Sequence, residues 1–375
     1  MADKLFWINH SFISKDQYAP YVIQNDSDYY PDLMIRYKRF LQEAVKAGAD
    51  QESVKIITGY QKKILEAIRN YYQGKISSSH QKIRNLVAKC IDHRIAVANI
   101  NDSFAFPGDK NLELQLFRAR LSEVNAEYSA TDMLHIPFDL RGLSKNYRFS
   151  ISGVPCWYLA NSSYGCWIEM EKPADQCFNV SPVLLDGEQR VFNLAVMSRD
   201  MTYLNDFDAS TVHCWLKLMM LMMATSYRIK ESNRTFKSEY IISQAIMLAC
   251  KDLKLDGVAY YSKRVDDEIF AVPAVNLALF APYKYRAKYA DICNHAKVGD
   301  PFNYATFKQL TEKYRSFTND MRLDHVSRSN GIGTYSHQYD YHETVFCQFD
   351  HFLFHEWKDK DRIDWGNAVT SEDKY

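Results

Sequence analysis

The sequence predicts an α+β fold with helical additions at both ends, and three observations carry that expectation. Three segments before residue 100 place apolar residues at three- and four-residue spacing. From about 100 to 280, short apolar strands alternate with turns and helices, the texture of an α+β core. The stretch 281–375 is aromatic and charged, with two further helical patterns. At 375 residues the chain exceeds one average domain, so one large domain with appended parts is expected. The division runs 1–100 as an N-terminal helical accessory region, 101–285 as the core, and 286–375 as a C-terminal aromatic-rich helical extension.

The first helical segment, MIRYKRFLQEAVKAG, ends at Gly48, a residue suited to a left-handed C-terminal cap. DQESVKIITGYQKKILEAIRNYYQG follows, with Asp50 as the N-cap and Gly74 as the stop. SSSHQKIRNLVAKCIDHRIAVA forms a third helix opened by serines. A helical bundle with charged outer faces is the simpler account of this region than one with its own chemistry. LQLFRARLSEV reads as a strand or short helix entering the core. VPCWYLA (154–160) is a compact buried strand, and SSYGCWIEMEK is helical. PVLLDG and RVFNLAV are strand candidates, and SEYIISQAIMLACKDLKLDG is an amphipathic helix closing at Gly257. VAYYS (258–262) and VNLALF (275–280) are strands, and helices are expected over 304–316 and 344–357.

Composition excludes several classes. Lysine plus arginine equals aspartate plus glutamate at 46 each, so the chain lacks the footprint of a dedicated nucleic-acid binder. An anionic small molecule needs only two or three local cations and stays open. Eight scattered cysteines without a CxxC pair point to a reducing compartment and core packing, hence a cytoplasmic setting. The start, MADKLFWINHSF, has no long apolar run of the kind a signal peptide carries. WLKLMMLMMA (215–224) is about half the length of a membrane span and contains Lys217. It reads as a buried helix, so no membrane association is expected.

The segment that carries chemistry is YRFSISGVPCWYLANSSYGCWIEMEKP. Arg148 enters a turn marked by Gly153 and Pro155, a strand runs through Tyr158, and the next helix carries Glu169. An arginine is a planar fork for pyrophosphate oxygens and stays charged at any relevant pH. A tyrosine stacks on a nicotinamide or ribose face and offers a hydroxyl. A carboxylate beside an anomeric carbon holds a ribose hydroxyl and stabilises the positive charge that develops as a glycosidic bond breaks. Each residue alone has a plainer account: Arg148 as a surface cation, Tyr158 as a core aromatic, Glu169 as a solvated helix residue. No GxGxxG follows a strand, so a Rossmann-type nucleotide site is not indicated.

RFSISGVPCWYLANSSYGCWIE resembles the RES family, whose pattern is an arginine turn, a glycine, a strand ending Tyr–Leu–Ala and a glutamate on the next helix. LFRARL (116–121) is similar to the family's upstream arginine strand, and DGVAYYSKR followed by VNLALF to its late strand. The resemblance covers about 118–280. It implies an ADP-ribosyltransferase-like fold and NAD⁺ as substrate rather than as a cofactor. By position, Arg148 would bind the pyrophosphate, Tyr158 the nicotinamide ribose region, and Glu169 would be the catalytic carboxylate. Ser262 would contact the ribose or nicotinamide, and Gln244 sits where the family often has a glutamine. Strand alternation puts Arg118 and Arg120 on one face, so periodicity does not choose between them; Arg118, directly after Phe117, is preferred.

The implied function is that of an NAD⁺-degrading toxin, a glycohydrolase or phosphorylase acting in growth arrest or anti-phage defence, with an antitoxin or regulatory protein as partner. A mono-ADP-ribosyltransferase modifying a protein is the alternative, and a non-catalytic module sensing NAD⁺ or holding a partner the second. Water, phosphate and protein remain open as acceptors. Other signals are weaker. Cys347, His351 and His355 lie at i, i+4 and i+8, with His337 and His342 upstream, but a packed aromatic helix explains them better than a metal site, and no metal is expected. SNGIGTYSH (329–337) is a turn, lacking the lysine of a P-loop. Cys156 and Cys166 read as buried small hydrophobes and the MMLMM run as core.

Overall fold

The computed structural model describes residues 17–100, 115–123, 128–185, 189–196, 208–265, 274–315, 341, 344–356 and 366–367. In chain order its first elements are β1 (Tyr21–Ile23), α1 (Tyr29–Lys46), α2 (Gln51–Tyr72), α3 (Ile76–Val87), β2 (Val97–Asn99), β3 (Leu116–Leu121) and β4 (Cys156–Ala160). Then come α4 (Ser163–Glu169), β5 (Phe178–Leu185), β6 (Arg190–Leu194), α5 (Ala209–Thr225), β7 (Tyr227–Ile229), α6 (Ile241–Asp252) and β8 (Gly257–Tyr261). Last are β9 (Val275–Phe280), β10 (Ala296–Val298), β11 (Phe302–Asn303), α7 (Tyr304–Arg315), α8 (Val345–His351) and β12 (Gly366–Asn367). The mixed α+β class agrees with the sequence expectation, and LFRARL resolves as a strand.

These residues form two compact units interleaved along the chain. The first takes the described residues of Met1–Ala98, Tyr147–Ser150 and Arg190–Glu268, and the second those of Asn99–Asn146, Ile151–Gln189 and Ile269–Tyr375. The division does not follow the linear scheme of 1–100, 101–285 and 286–375, because elements distant in sequence share a core.

In the first unit α1 and α2 pack against α5, and α3 packs against α2 and α6. Tyr29, Leu33, Tyr37, Phe40 and Ala44 repeat at helical spacing and are buried, as are Ile57, Tyr60, Ile64 and Ile68 of α2. Asp50 caps α2 by accepting from the amides of Glu52 and Ser53, both at 3.0 Å. After α1, Gly48 takes φ 93° while Ala49 N donates to Ala44 O and Gly48 N to Val45 O, the paired bonds of a Schellman ending. The Met-rich α5 is buried almost end to end, as its apolar composition predicts. Two tyrosines of α1 reach into it: Tyr37 Oη donates to Met220 O at 2.6 Å and Tyr29 Oη to Ala224 O at 2.8 Å. Among the described residues no helix is long and apolar enough to cross a membrane. Strands β6 and β8 pair in parallel, Phe192 opposite Val258, and the intervening chain supplies α5 and α6.

In the second unit the strands run in the order β12–β10–β5–β3–β4–β9, with β11 also on β5, and each of these pairings for which a register is defined is antiparallel. One sheet face carries Phe117, Ala119, Ala160, Phe178 and Val180, covered by Cys166 of α4, Phe307 of α7 and Phe349 of α8. The C-terminal segment, expected to lie outside the core, instead completes it: an antiparallel sheet with one apolar face requires a cover, and α7 and α8 supply aromatic rings for it. Helix α8 continues through a wider turn, Phe352–Glu356, close to the end expected for a helix over 344–357.

Candidate functional site

In the second unit, β3 carries both candidate arginines, and the fold separates them. The registered contact of β3 with β4 is Phe117 opposite Ala160. Next to it the Arg118 guanidinium takes over the ladder's role: Nη1 donates to the Tyr158 carbonyl at 2.9 Å. Arg118 is thereby fixed to the backbone of the strand that bears Tyr158. Arg120, on the same face of β3, lies instead over the Tyr128 ring, 5.6 Å from its centroid. Tyr158 is half-buried and stands opposite Ala278 of β9.

Glu169 ends α4. That helix is capped by Ser162, whose Oγ accepts from Gly165 N at 2.8 Å, and Asp350 of α8 accepts from Ser163 N at 2.9 Å. Tyr341 Oη donates to the other oxygen of Asp350 at 2.8 Å. Burial pushes the Asp350 carboxyl up to about 7, against these hydrogen bonds, which favour its ionised form. Glu169 itself is half-buried, and its Oε1 accepts from Asn276 Nδ2 at 2.7 Å. Asn276 is a residue the sequence reading passed over. The signal was present, since a lone amide inside the apolar strand VNLALF is buried to 4% exposure and must find a partner.

The remaining candidates lie in the first unit. Arg148 sits on the four-residue turn Tyr147–Ser150, closed by reciprocal backbone bonds of 3.3 Å. It is not a surface cation but buried to 6% exposure. Nη1 donates to Tyr261 O at 2.8 Å, and the guanidinium lies 4.7 Å from the Tyr260 ring centroid and 5.3 Å from that of Phe149. The packed Phe149–Tyr260 pair, with centroids 4.6 Å apart, is a platform for a planar cation that the sequence reading did not identify. Gln244 on α6 reaches the same turn, its Nε2 donating to Tyr147 O at 3.3 Å and Ser150 O at 3.1 Å. It grips the peptide backbone on either side of Arg148. Ser262, just past β8, is buried, and its Oγ accepts from Arg264 N at 3.1 Å. The seven candidates therefore fall into two sets, with Arg118, Arg120, Tyr158 and Glu169 in the second unit and Arg148, Gln244 and Ser262 in the first.

The weaker signals settle in part. Cys166 is buried, its thiol pushed up by that burial, while Cys156 is half-buried. Cys347 of α8 is buried, and His351, four residues on, is half-buried. Among the described residues no cluster of metal-ligating side chains occurs. His337, His342, the side chain of His355 and the SNGIGTYSH turn at 329–337 lie outside the described residues.

Comparison with known proteins gives a family match and two relatives. Residues 115–293 match the family model described as the RES domain, the family that the motif resembles. Over 344 residues it is 24% identical to a Bacillus subtilis (strain 168) protein named "Putative toxin YopC", covering 84% of this chain and 74% of that one. A solved structure, the M. tuberculosis MbcT–MbcA toxin–antitoxin complex, matches 61% of this chain and 97% of its own at 12% identity. Its TM-score of 0.31 is too low to carry an argument about fold.

Proposed function

We propose that the chain degrades NAD⁺ through its RES domain, on an ADP-ribosyltransferase-like core, as a toxin of the cytoplasm. The observation that carries the reading is Glu169: a half-buried carboxylate at a helix end, aligned by the buried Asn276 amide within the matched domain. Such a carboxylate is built to face developing positive charge rather than to solvate a surface. In the proposed step the bond between the ribose anomeric carbon and the nicotinamide nitrogen breaks. Its electron pair passes to the pyridinium nitrogen, releasing neutral nicotinamide, and Glu169 stabilises the ribosyl cation left behind. Water captures that cation with loss of a proton to give ADP-ribose, or phosphate captures it to give the 1″-phosphate.

The other roles are those the family resemblance implies for residues of these types. Arg148, beside the Phe149 and Tyr260 rings, binds pyrophosphate oxygens, and Gln244 sets its turn. Arg118 braces the Tyr158 backbone, and Tyr158 and Ser262 orient the nicotinamide ribose. A toxin of this activity needs restraint, so an antitoxin protein is the proposed partner, in keeping with the toxin named among its relatives.

The test is nicotinamide release from NAD⁺ by the purified chain, with and without phosphate, beside Glu169→Ala. Release that disappears in the folded variant supports the reading, and its phosphate dependence identifies the acceptor. Undiminished release in Glu169→Ala refutes it. Label from NAD⁺ appearing on a protein, with little free ADP-ribose, would make the enzyme a transferase.

A further inference from the structure

A cavity of about 790 Å³ opens in the first unit among α2, the turns after α3 and the start of α5. That volume is the size of a small-molecule site. None of the residues assigned to NAD⁺ lines it. Four lysines do, Lys55, Lys63, Lys89 and Lys217, against only two carboxylates, Glu52 and Asp92. Lys55 is answered by Glu52 at 3.4 Å, and Lys217 Nζ donates to the Lys89 carbonyl at 3.4 Å. Among the described residues no carboxylate pairs with Lys63 or Lys89. In a chain whose charges balance overall, this concavity is a local excess of positive charge.

The field is felt by a neighbouring thiol. Cys90, buried behind the wall, is held below the ordinary thiol value chiefly by its hydrogen bond with Cys214, against the opposing effect of burial, with Tyr60 and then the charges of Lys217 and Lys89 adding to it. Both Cys214 and Tyr60 line the cavity.

A second observation is independent of charge. Gly59 lies in the middle of the 22-residue α2 and also lines the cavity. Its backbone is not left-handed, and a Cβ added there would meet nothing within 4 Å. Neither backbone geometry nor packing therefore asks for glycine, although a helix-interior glycine costs about 0.5–1 kcal/mol relative to alanine. Lys55 and Lys63 stand one turn before and one turn after it on the same stripe of the helix. The bare surface lies between two cations, which is where an anion's body would rest.

We propose that this cavity binds a multiply phosphorylated small molecule, its phosphates held by Lys63, Lys89 and Lys217 and its body seated on the bare helix at Gly59. Phosphate suits the lining because ammonium groups act as point charges for its oxygens. More than one phosphate suits the site because Lys63 on α2 and Lys89 after α3 line it from different elements. The site is separate from the NAD⁺ reading and does not depend on it.

The test uses the full chain, with inorganic tripolyphosphate and ATP as probes, titrated by calorimetry at fixed ionic strength. The expected result is saturable one-site binding, weakened at least tenfold in Lys63→Ala/Lys89→Ala. Gly59→Ala is the diagnostic variant: it should melt at or above the wild-type temperature yet bind several-fold more weakly, a combination that damage to the fold does not produce. Glu169→Ala should bind tripolyphosphate as wild type does, which separates this site from the NAD⁺ assignment. No saturable binding of either probe, equal affinity in the lysine double variant, or binding of an RNA oligonucleotide in preference to both probes would each overturn the proposal.

Discussion

Asn276→Ala removes one amide donor, 2.7 Å from Glu169 Oε1, without adding bulk to β9. A hydrogen bond to a charged group contributes about 1.5–3 kcal/mol. Asn276 is buried but Glu169 only half so, and solvent replaces part of the loss, which places the effect in the lower half of that range. If the amide aligns the carboxylate for the bond-breaking step, the same energy is lost from the transition state. At about 1.4 kcal/mol per tenfold in rate, nicotinamide release at saturating NAD⁺ should fall about 10- to 50-fold. Denaturant unfolding supplies a readout independent of activity. A double-mutant cycle of Asn276→Ala with Glu169→Ala should show coupling of about 1 kcal/mol or more, since either change alone already abolishes the bond. Stabilities that add within about 0.3–0.5 kcal/mol, together with undiminished turnover in Asn276→Ala, would show that the amide neither holds nor aligns Glu169.

Two buried groups of the second unit should give opposing pH responses. Asp350 is raised to about 7 from an ordinary 3.8, chiefly by burial, so its contribution is greatest below pH 4 and is lost as pH rises towards 7. His135 is lowered from 6.5 to about 4, chiefly by burial, its Nε2 accepting from Ala290 N at 2.9 Å, so its contribution is present above pH 6.5 and lost as pH falls towards 4. Wild-type stability should vary little between pH 4 and 6.5, whereas Asp350→Asn should lose up to about 3 kcal/mol on acidification over that range, measured by urea unfolding at each pH; a flat profile in the variant refutes the assignment to His135. Arg118→Lys should lower both melting temperature and NAD⁺ consumption, because an ammonium cannot reproduce the guanidinium's reach to the Tyr158 carbonyl, while Arg120→Lys should change neither; equal losses would refute the division of roles. Gln244→Leu deletes two donors to the turn bearing Arg148 and should cost about 1–2 kcal/mol of stability and raise KM for NAD⁺ more than it lowers kcat. An unaltered KM would mean that the turn holds Arg148 without help.

Local chemistry was legible in the residues themselves. Gly48 and Gly74 end α1 and α2 because a left-handed cap strains any side chain, and Asp50 opens α2 because its carboxylate satisfies free amides. The Met-rich helix is buried because its run is apolar but for Lys217, and the motif from Arg148 to Glu169 lies within residues 115–293, which match the RES family model. Partners distant in sequence were not legible. That α7 and α8 cover the sheet of β3, β4 and β5, that Asn276 meets Glu169 across 107 residues, and that Gln244 grips the turn of Arg148 all depend on which surfaces meet on folding. Alternation placed Arg118 and Arg120 on one face but could not separate them; the departure of β4 from β3 after a single pair did so, leaving one carbonyl for one guanidinium. Periodicity fixes the direction of a side chain, whereas its partner is set by long-range packing that no short window of sequence contains.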